Sequence, residues 1–406
     1  MIIKAILRSK PVRISAAILI ALLFVNGCRK PDMESYLDAL EEGKFQESEG
    51  ESESASEEES ESEVAPFLDF KETESISDGC YEYSMLGDDD RTIYNEILTT
   101  IMNHDSNVAI QTRSPEKLDD VFNRVLADHG ELFWVSGYSY TEYTIGGMVV
   151  GIEFTPGYSM TKTERDSIQE QIDSAVSGYT DAVPAEADDY TKLKILYTLL
   201  ASNVTYDKNA KDNQTIVSVF LNRSTVCQGF ANALQYLATK CGIQSIVVTG
   251  MGMEELHAWN MINIEGSFYH VDVTWANTTF TDTETENSAS IINYSYLCMT
   301  DSDISADYTI TSTFDIPIAE DTTYTYFVHE NRCFDTFDEG ILGSVLNEAV
   351  TNQDESVSLK FMTQEAYDAA VNYLLVEFHI KDFCPDMTKA YYYEDLDKLI
   401  LTIRLL

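Results

Sequence analysis

Cys227, His257 and Asp272 are the residues of this 406-residue chain whose types and setting could do chemistry together. A thiolate is a nucleophile, an imidazole carries a proton near neutral pH, and a carboxylate can hold an imidazole in one tautomer. Downstream of the cysteine, Phe230, Ala233, Leu234, Leu237, Ala238 and Cys241 repeat with helical spacing, and Gly242 stands where a left-handed C-terminal cap is wanted. Cys241 therefore reads as a core residue. At the other end, Thr225-Val226-Cys227-Gln228 fits a capping box, which predicts Thr225 as the N-cap and Cys227 in the first turn. Unpaired backbone N–H groups and the positive end of the helix dipole favour a thiolate there. The backbone N–H of Cys227 is a natural oxyanion donor. Gln228, Gly229 and Trp259 are expected beside the substrate, Gly229 leaving space at the sulfur or else serving tight helix packing.

The imidazole and the carboxylate must be brought together by a hairpin. His257 to Ile264 and Ser267 to Trp275 are strand-like, with Glu265-Gly266 as a two-residue turn. If Ile264 pairs with Ser267, His257 and Asp272 share a face as diagonal neighbours roughly 7 Å apart at the backbone. A one-residue slip would put them on opposite faces. In this arrangement Cys227 attacks an acyl carbon, His257 accepts and later donates the proton, and Asp272 fixes the imidazole. His270 would share the face of Asp272 and reads as a structural histidine. Trp259 and Trp275 could wall a cleft, although tryptophans in hairpin strands more often belong to a core.

These residues also resemble a family. Thr225-Val226-Cys227-Gln228-Gly229-Phe230-Ala231, Gly242-Ile243, His257-Ala258-Trp259-Asn260 and Gly266 to Trp275 resemble, in order, the blocks of the transglutaminase-like superfamily. The likeness is strong from about Tyr190 to Thr300. Phe133-Trp134-Val135 and Tyr206-Asp207 are similar to segments that precede the core in surface-associated bacterial members. The resemblance implies an α+β, papain-like fold, with a nucleophile helix packed on an antiparallel sheet and Cys227, His257 and Asp272 as a triad. It also implies acyl chemistry on peptide or protein amides through a thioester, without a cofactor. Water as acceptor, an amine as acceptor, and a catalytically silent binding module on the same scaffold all stay open. Hydrolysis is slightly favoured, because transfer to an amine needs a channel that excludes water.

The remaining chain supplies context. With 26 basic against 69 acidic residues, the net charge of −43 repels nucleic acid and anionic lipid head groups. Lys4 to Arg13 followed by Ile14 to Val25 and Val25-Asn26-Gly27-Cys28 resembles a bacterial lipoprotein signal over residues 1–28, with Cys28 as the lipid-modified residue. Residues 29–79, with ESEGESESASEEESESE at Glu47 to Glu63, predict a disordered acidic stalk. These features place the protein outside the cytoplasm, anchored to the cell membrane or surface, where cell-wall peptides are candidate substrates.

Helical periods at Ile93 to Met102, Lys162 to Ala175 and Tyr190 to Ser202, with strands at Leu132 to Tyr143 and Met148 to Phe154, predict an N-terminal α/β region over 80–185 ahead of a core over 186–316. Strand-like alternation at Ser356 to Met362 and Leu396 to Leu405 around a helix predicts a small α/β unit over 317–406. The remaining cysteines, Cys80, Cys241, Cys298, Cys333 and Cys384, show no metal-ligand spacing and predict no disulfide framework. Asp301, Asp303 and Asp307 lack the glycine and closing glutamate of an EF-hand and read as a solvated loop rather than a metal site. His104, His129, His329 and His379 carry no predicted role.

Overall fold

The computed structural model describes residues 6–9, 70, 79–145, 147–281 and 288–405. Cys28, the acidic stalk and all but residues 6–9 of the signal-like segment lie outside the described residues. The fold is α+β, with antiparallel sheets as its main frameworks.

Helices α1 (Asp88–Asn103) and α2 (Pro115–Asp128) precede a long hairpin of β1 (Val135–Ile145) and β2 (Met148–Tyr158). Ser114 caps α2 by accepting the Lys117 N–H, and Pro115 occupies the first turn, where no N–H is needed. This region is not an independent unit. Its apolar residues, including Ile97, Phe122 and Trp134, run into one core with helix α3 (Asp189–Asn203) and helix α4 (Cys227–Lys240). Contact with α4 is close: the Gln235 side chain donates to Asp128 O and accepts the Gly130 N–H, and a Cβ on Gly130 would lie 2.5 Å from Asn232 O.

Helix α4 packs on a four-stranded antiparallel sheet of β3 (Ser245–Gly252), β4 (Glu255–Ile264), β5 (Ser267–Val271) and β6 (Tyr308–Ile310), in the order β6-β3-β4-β5. Ile264 pairs with Ser267 and Asn260 with Val271, which is the register inferred from the turn. Glu265 and Gly266 have φ of 51° and 92°, as a two-residue turn with both central residues left-handed requires. The second strand ends at Val271, four residues before Trp275. Asp272 instead opens a short 3₁₀ turn, Val273–Trp275, because its side chain accepts the Thr274 N–H.

The start of α4 differs from a capping box. Val226 is the N-cap, no side chain caps the helix, and Cys227 is its first residue. Thr225 is unavailable because it pairs with Tyr206 in a short parallel ladder and donates its hydroxyl to Asn213 O at 2.7 Å. The Gln228 amide bonds Asn232 instead of the helix start. Gly229 does not make space for a substrate: a Cβ there would lie 1.9 Å from Thr225 Oγ1 and 2.9 Å from Asn213 O, so it permits tight packing of the helix. At the C-terminus, Gly242 (φ 79°) and Ile243 close a Schellman motif through bonds to Thr239 O and Ala238 O. Cys241, at this end, is partly exposed and packs against the edge of the core.

The face of the sheet carrying Trp259 and Met261 is covered by the segment containing Tyr296, Met299, Ile304 and Tyr308. Here Asp301, Asp303 and Asp307 are structural and not a solvated loop. Thr300 and Asp303 form a capping box on the turn Asp301–Ile304, and Asp307 binds Lys398 at 2.9 Å. Residues 334–405 enclose a second core around their own sheet.

Candidate active site

Asn260, buried on β4, donates to Ala231 O in α4 at 2.9 Å, and so fixes the helix that carries Cys227 against the strand that carries His257. Cys227, His257 and Asp272 are brought together at this junction. His257 Nε2 bonds Asp272 Oδ2 at 2.6 Å, both side chains being buried. Since a carboxylate accepts, Nε2 carries the proton and Nδ1 is left for the thiol. Cys227 is the other polar neighbour favouring a charged imidazole.

Burial opposes the charged imidazole, but the Asp272 carboxylate, by charge and by hydrogen bond, together with Cys227, outweighs it and raises the His257 pKa to about 10. The carboxylate is itself held. Besides His257 it accepts the Tyr308 hydroxyl at 2.7 Å and the Thr274 N–H at 2.9 Å. Burial and the Asp272 charge push the Tyr308 phenol far up, so it remains a donor. Tyr308 was not visible in the sequence as a site residue, because it lies 36 residues beyond Asp272 with no motif around it.

Gly252 is a second residue that spacing does not reveal. A Cβ there would lie 2.8 Å from His257 Cδ2, so only glycine lets the imidazole occupy its place against β3. Trp259 belongs to the core and not to the cleft: it is 1% exposed, and its Nε1 donates to His270 Nδ1 at 3.0 Å. His270 in turn bonds Asp301 through Nε2 at 2.8 Å, as a structural histidine would. The exposed aromatics near the pair are Trp275, 37% exposed with its ring 6.0 Å from that of His257, and Tyr206, 46% exposed and close enough to feel the charge of Cys227. Gln228, next to Cys227 in the chain, is half-buried.

With the helix start uncapped by any side chain, the first-turn amides, that of Cys227 among them, are free to receive an oxyanion. Among the described residues no cluster of three or more His, Cys, Asp or Glu side chains could hold a metal ion. A cavity of about 480 Å³ lined by Tyr190, Lys194, His329 and Glu330 lies away from the cysteine. Its polar groups satisfy one another, Glu330 accepting from both Lys194 and Tyr190.

Residues 178–273 match the sequence model of the Transglutaminase-like superfamily. Over 153 residues, 33% of this chain, the sequence is 24% identical to the Kyphoscoliosis peptidase of Mus musculus. The match covers 23% of that curated relative, so the chain spans about a quarter of its length. Solved structures with likeness include a TGase, at 16% identity and TM-score 0.25 over 34% of this chain and 44% of that one. Another is the periplasmic domain of TgpA from Pseudomonas aeruginosa, at 15% identity and TM-score 0.21 over 32% and 56% of the two chains.

Two outcomes follow from the geometry. Gly252→Ala displaces the imidazole and should lower kcat by about ten- to a hundredfold, since misplacement by about 1 Å is enough for such a loss. Unchanged turnover of an amide substrate by this variant would show that His257 does not need that space. The raised pKa of His257 means that the imidazolium, and the stability of its pairing, is fully present below the unfolded value of about 6.5 and is lost as pH rises through about 10. The alkaline limb of kcat/KM should therefore lie near pH 10 and move several units down in Asp272→Asn. A limb that stays in place would remove Asp272 as the cause.

Proposed function

Because residues 178–273 belong to the transglutaminase-like superfamily, we propose that this chain is a cysteine-nucleophile enzyme that forms a thioester with a peptide or protein amide and releases it to water. The observation that carries this reading is the buried 2.6 Å bond between His257 and Asp272 beside the Cys227 thiol at an uncapped helix start. The His257 imidazolium already holds at Nδ1 the proton given up by the thiol, and the sulfur attacks the amide carbon while the oxygen, gaining charge, turns toward the Cys227 N–H. Collapse breaks the C–N bond, and the departing amine leaves with the proton from Nδ1. In the second half, Nδ1 takes a proton from water, the hydroxide oxygen attacks the thioester, and the C–S bond breaks to regenerate the thiol and a carboxylic acid. Asp272 holds Nε2 throughout and balances the imidazolium.

The partial exposure of Tyr206 and Trp275 next to the reacting pair supports water as the acceptor over an amine, whose transfer requires a drier site. The acidic body and the lipoprotein-like first 28 residues support a setting outside the cytoplasm, with Cys28 lipid-modified and the acidic stretch as spacer.

Incubating the protein with a glutamine-containing peptide and a labelled amine separates the outcomes. Amide cleavage without incorporation is expected, and Cys227→Ala should lower it at least about a hundredfold. Incorporation of the amine in excess of cleavage would establish the transferase instead, and cleavage retained by Cys227→Ala would remove the cysteine from the mechanism. For the tether, a bacterial host fed labelled fatty acid should label the wild type and not Cys28→Ala. Equal labelling of both would locate the lipid elsewhere or discard it.

A further inference from the structure

A second cysteine in the chain also has a histidine and a carboxylate beside it. Cys80 Sγ lies 3.8 Å from His129 Nε2, and His129 Nδ1 lies 2.8 Å from Glu131 Oε1. The backbone on both sides of the thiol is pinned. The buried Asp128 carboxylate accepts the N–H groups of Glu82 at 3.1 Å and Tyr83 at 3.0 Å, which sets residues 80–83 against the end of α2, where His129 is the C-cap. On the other side the Gln244 amide donates to Gly79 O at 3.1 Å. Cys80 is partly exposed, and the side chains of His129 and Glu131 are 11% and 23% exposed, so the group can be reached from solvent. Burial pushes Cys241, Cys298, Cys333 and Cys384 up, and Cys298 is fully enclosed.

We propose that Cys80, His129 and Glu131 form a second reactive-thiol site, independent of Cys227, that takes small disulfides by thiol–disulfide exchange. His129 Nε2 holds the proton of the thiol, and the Cys80 sulfur attacks one sulfur of R–S–S–R. The disulfide bond breaks, a Cys80–S–S–R bond forms, and R–S⁻ leaves and takes the proton from Nε2. Cys80 is oxidised and the departing half of the disulfide is reduced. Glu131 keeps His129 oriented and charged: burial opposes the imidazolium, but Glu131 and Cys80 outweigh it and raise the pKa to about 10. The product is a reversible cap on the residue that joins the acidic N-terminal stretch to the folded body.

The test uses the full chain with Cys227→Ser, so that the other candidate nucleophile is silent. The probe is 4,4′-dithiodipyridine at neutral pH, a neutral disulfide that a net charge of −43 does not repel. Labelled positions are read by mass spectrometry against time, with Cys241 and Cys333, also partly exposed, as references within the same molecule. Cys80 should react about tenfold or more faster than either reference, as a thiol paired with a charged imidazole does. His129→Gln should bring Cys80 to the reference rate, and Glu131→Gln, a change at the solvent side, should bring it part of the way. Labelling of Cys80 no faster than Cys241 and Cys333 would overturn the proposal, and so would a rate that Glu131→Gln leaves unchanged.

Discussion

The Asp272 carboxylate is the point on which the candidate site depends. It is 1% exposed, and a buried carboxylate is tolerable only when donors replace its lost water. Three do so, and each comes from a different place: His257 from β4, Tyr308 from β6, and the Thr274 N–H from the turn that Asp272 itself opens. The backbone of Asp272 adds a fourth tie, its N–H donating to Tyr296 O at 3.0 Å. An imidazole bonded to so constrained an acceptor has one tautomer and one orientation, which leaves Nδ1 for the thiol. The geometry of the Cys227–His257 pair is thus decided on the side of the histidine away from the cysteine.

That arrangement reaches into the C-terminal unit. Lys398 binds Asp307, the neighbour of Tyr308, and its ammonium lies 5.2 Å from the centroid of the Tyr296 ring. Both residues that hold Asp272 from outside the hairpin are therefore next to one lysine of the second core. Lys360 stands 3.6 Å from Asp303 on the same segment. Exposed ion pairs contribute little each, but these are partly buried and act on a segment whose position the carboxylate requires. The segment 296–310 thus serves as the link between the two cores, with one face on the sheet and Asp303 and Asp307 turned to the C-terminal unit.

The sequence showed the site where chemistry and local rules coincide. Glu265-Gly266 can adopt left-handed φ values in a two-residue turn, so the register, and with it the meeting of His257 and Asp272, could be read from composition. Cys227 at a helix start was equally legible, although the reason differed. Thr225 was read as the cap because its side chain can accept from a helix amide. In the structure Asn213 O, brought close from 12 residues earlier, takes that hydroxyl as a donor. Of the two readings of Gly229, tight helix packing is the one observed, and the atom it must avoid belongs to that displaced threonine. Tyr308 and Gly252 could not be found from spacing, because their roles are set by sheet neighbours: β6 and β4 both pair with β3. Local rules fail here where a distant backbone atom competes for a side chain.

His257 and His270 show how far environment exceeds motif. Each is a buried histidine on adjacent strands of one hairpin, and each bonds an aspartate at 2.6 or 2.8 Å, yet their pKa values move in opposite directions. The partner of His257 is enclosed, so its charge is little screened and it overcomes the burial of the ring. The partner of His270, Asp301, has a side chain 44% exposed, and solvent weakens its pull, so burial prevails and lowers the pKa. The second ring nitrogen reinforces the difference. His270 Nδ1 accepts from the Trp259 indole, which needs a neutral ring, whereas His257 Nδ1 is left for a thiol that can surrender a proton. Two side chains of one type, thirteen residues apart, are thereby divided into a structural histidine and a candidate proton carrier by what stands behind each aspartate and in front of each free nitrogen.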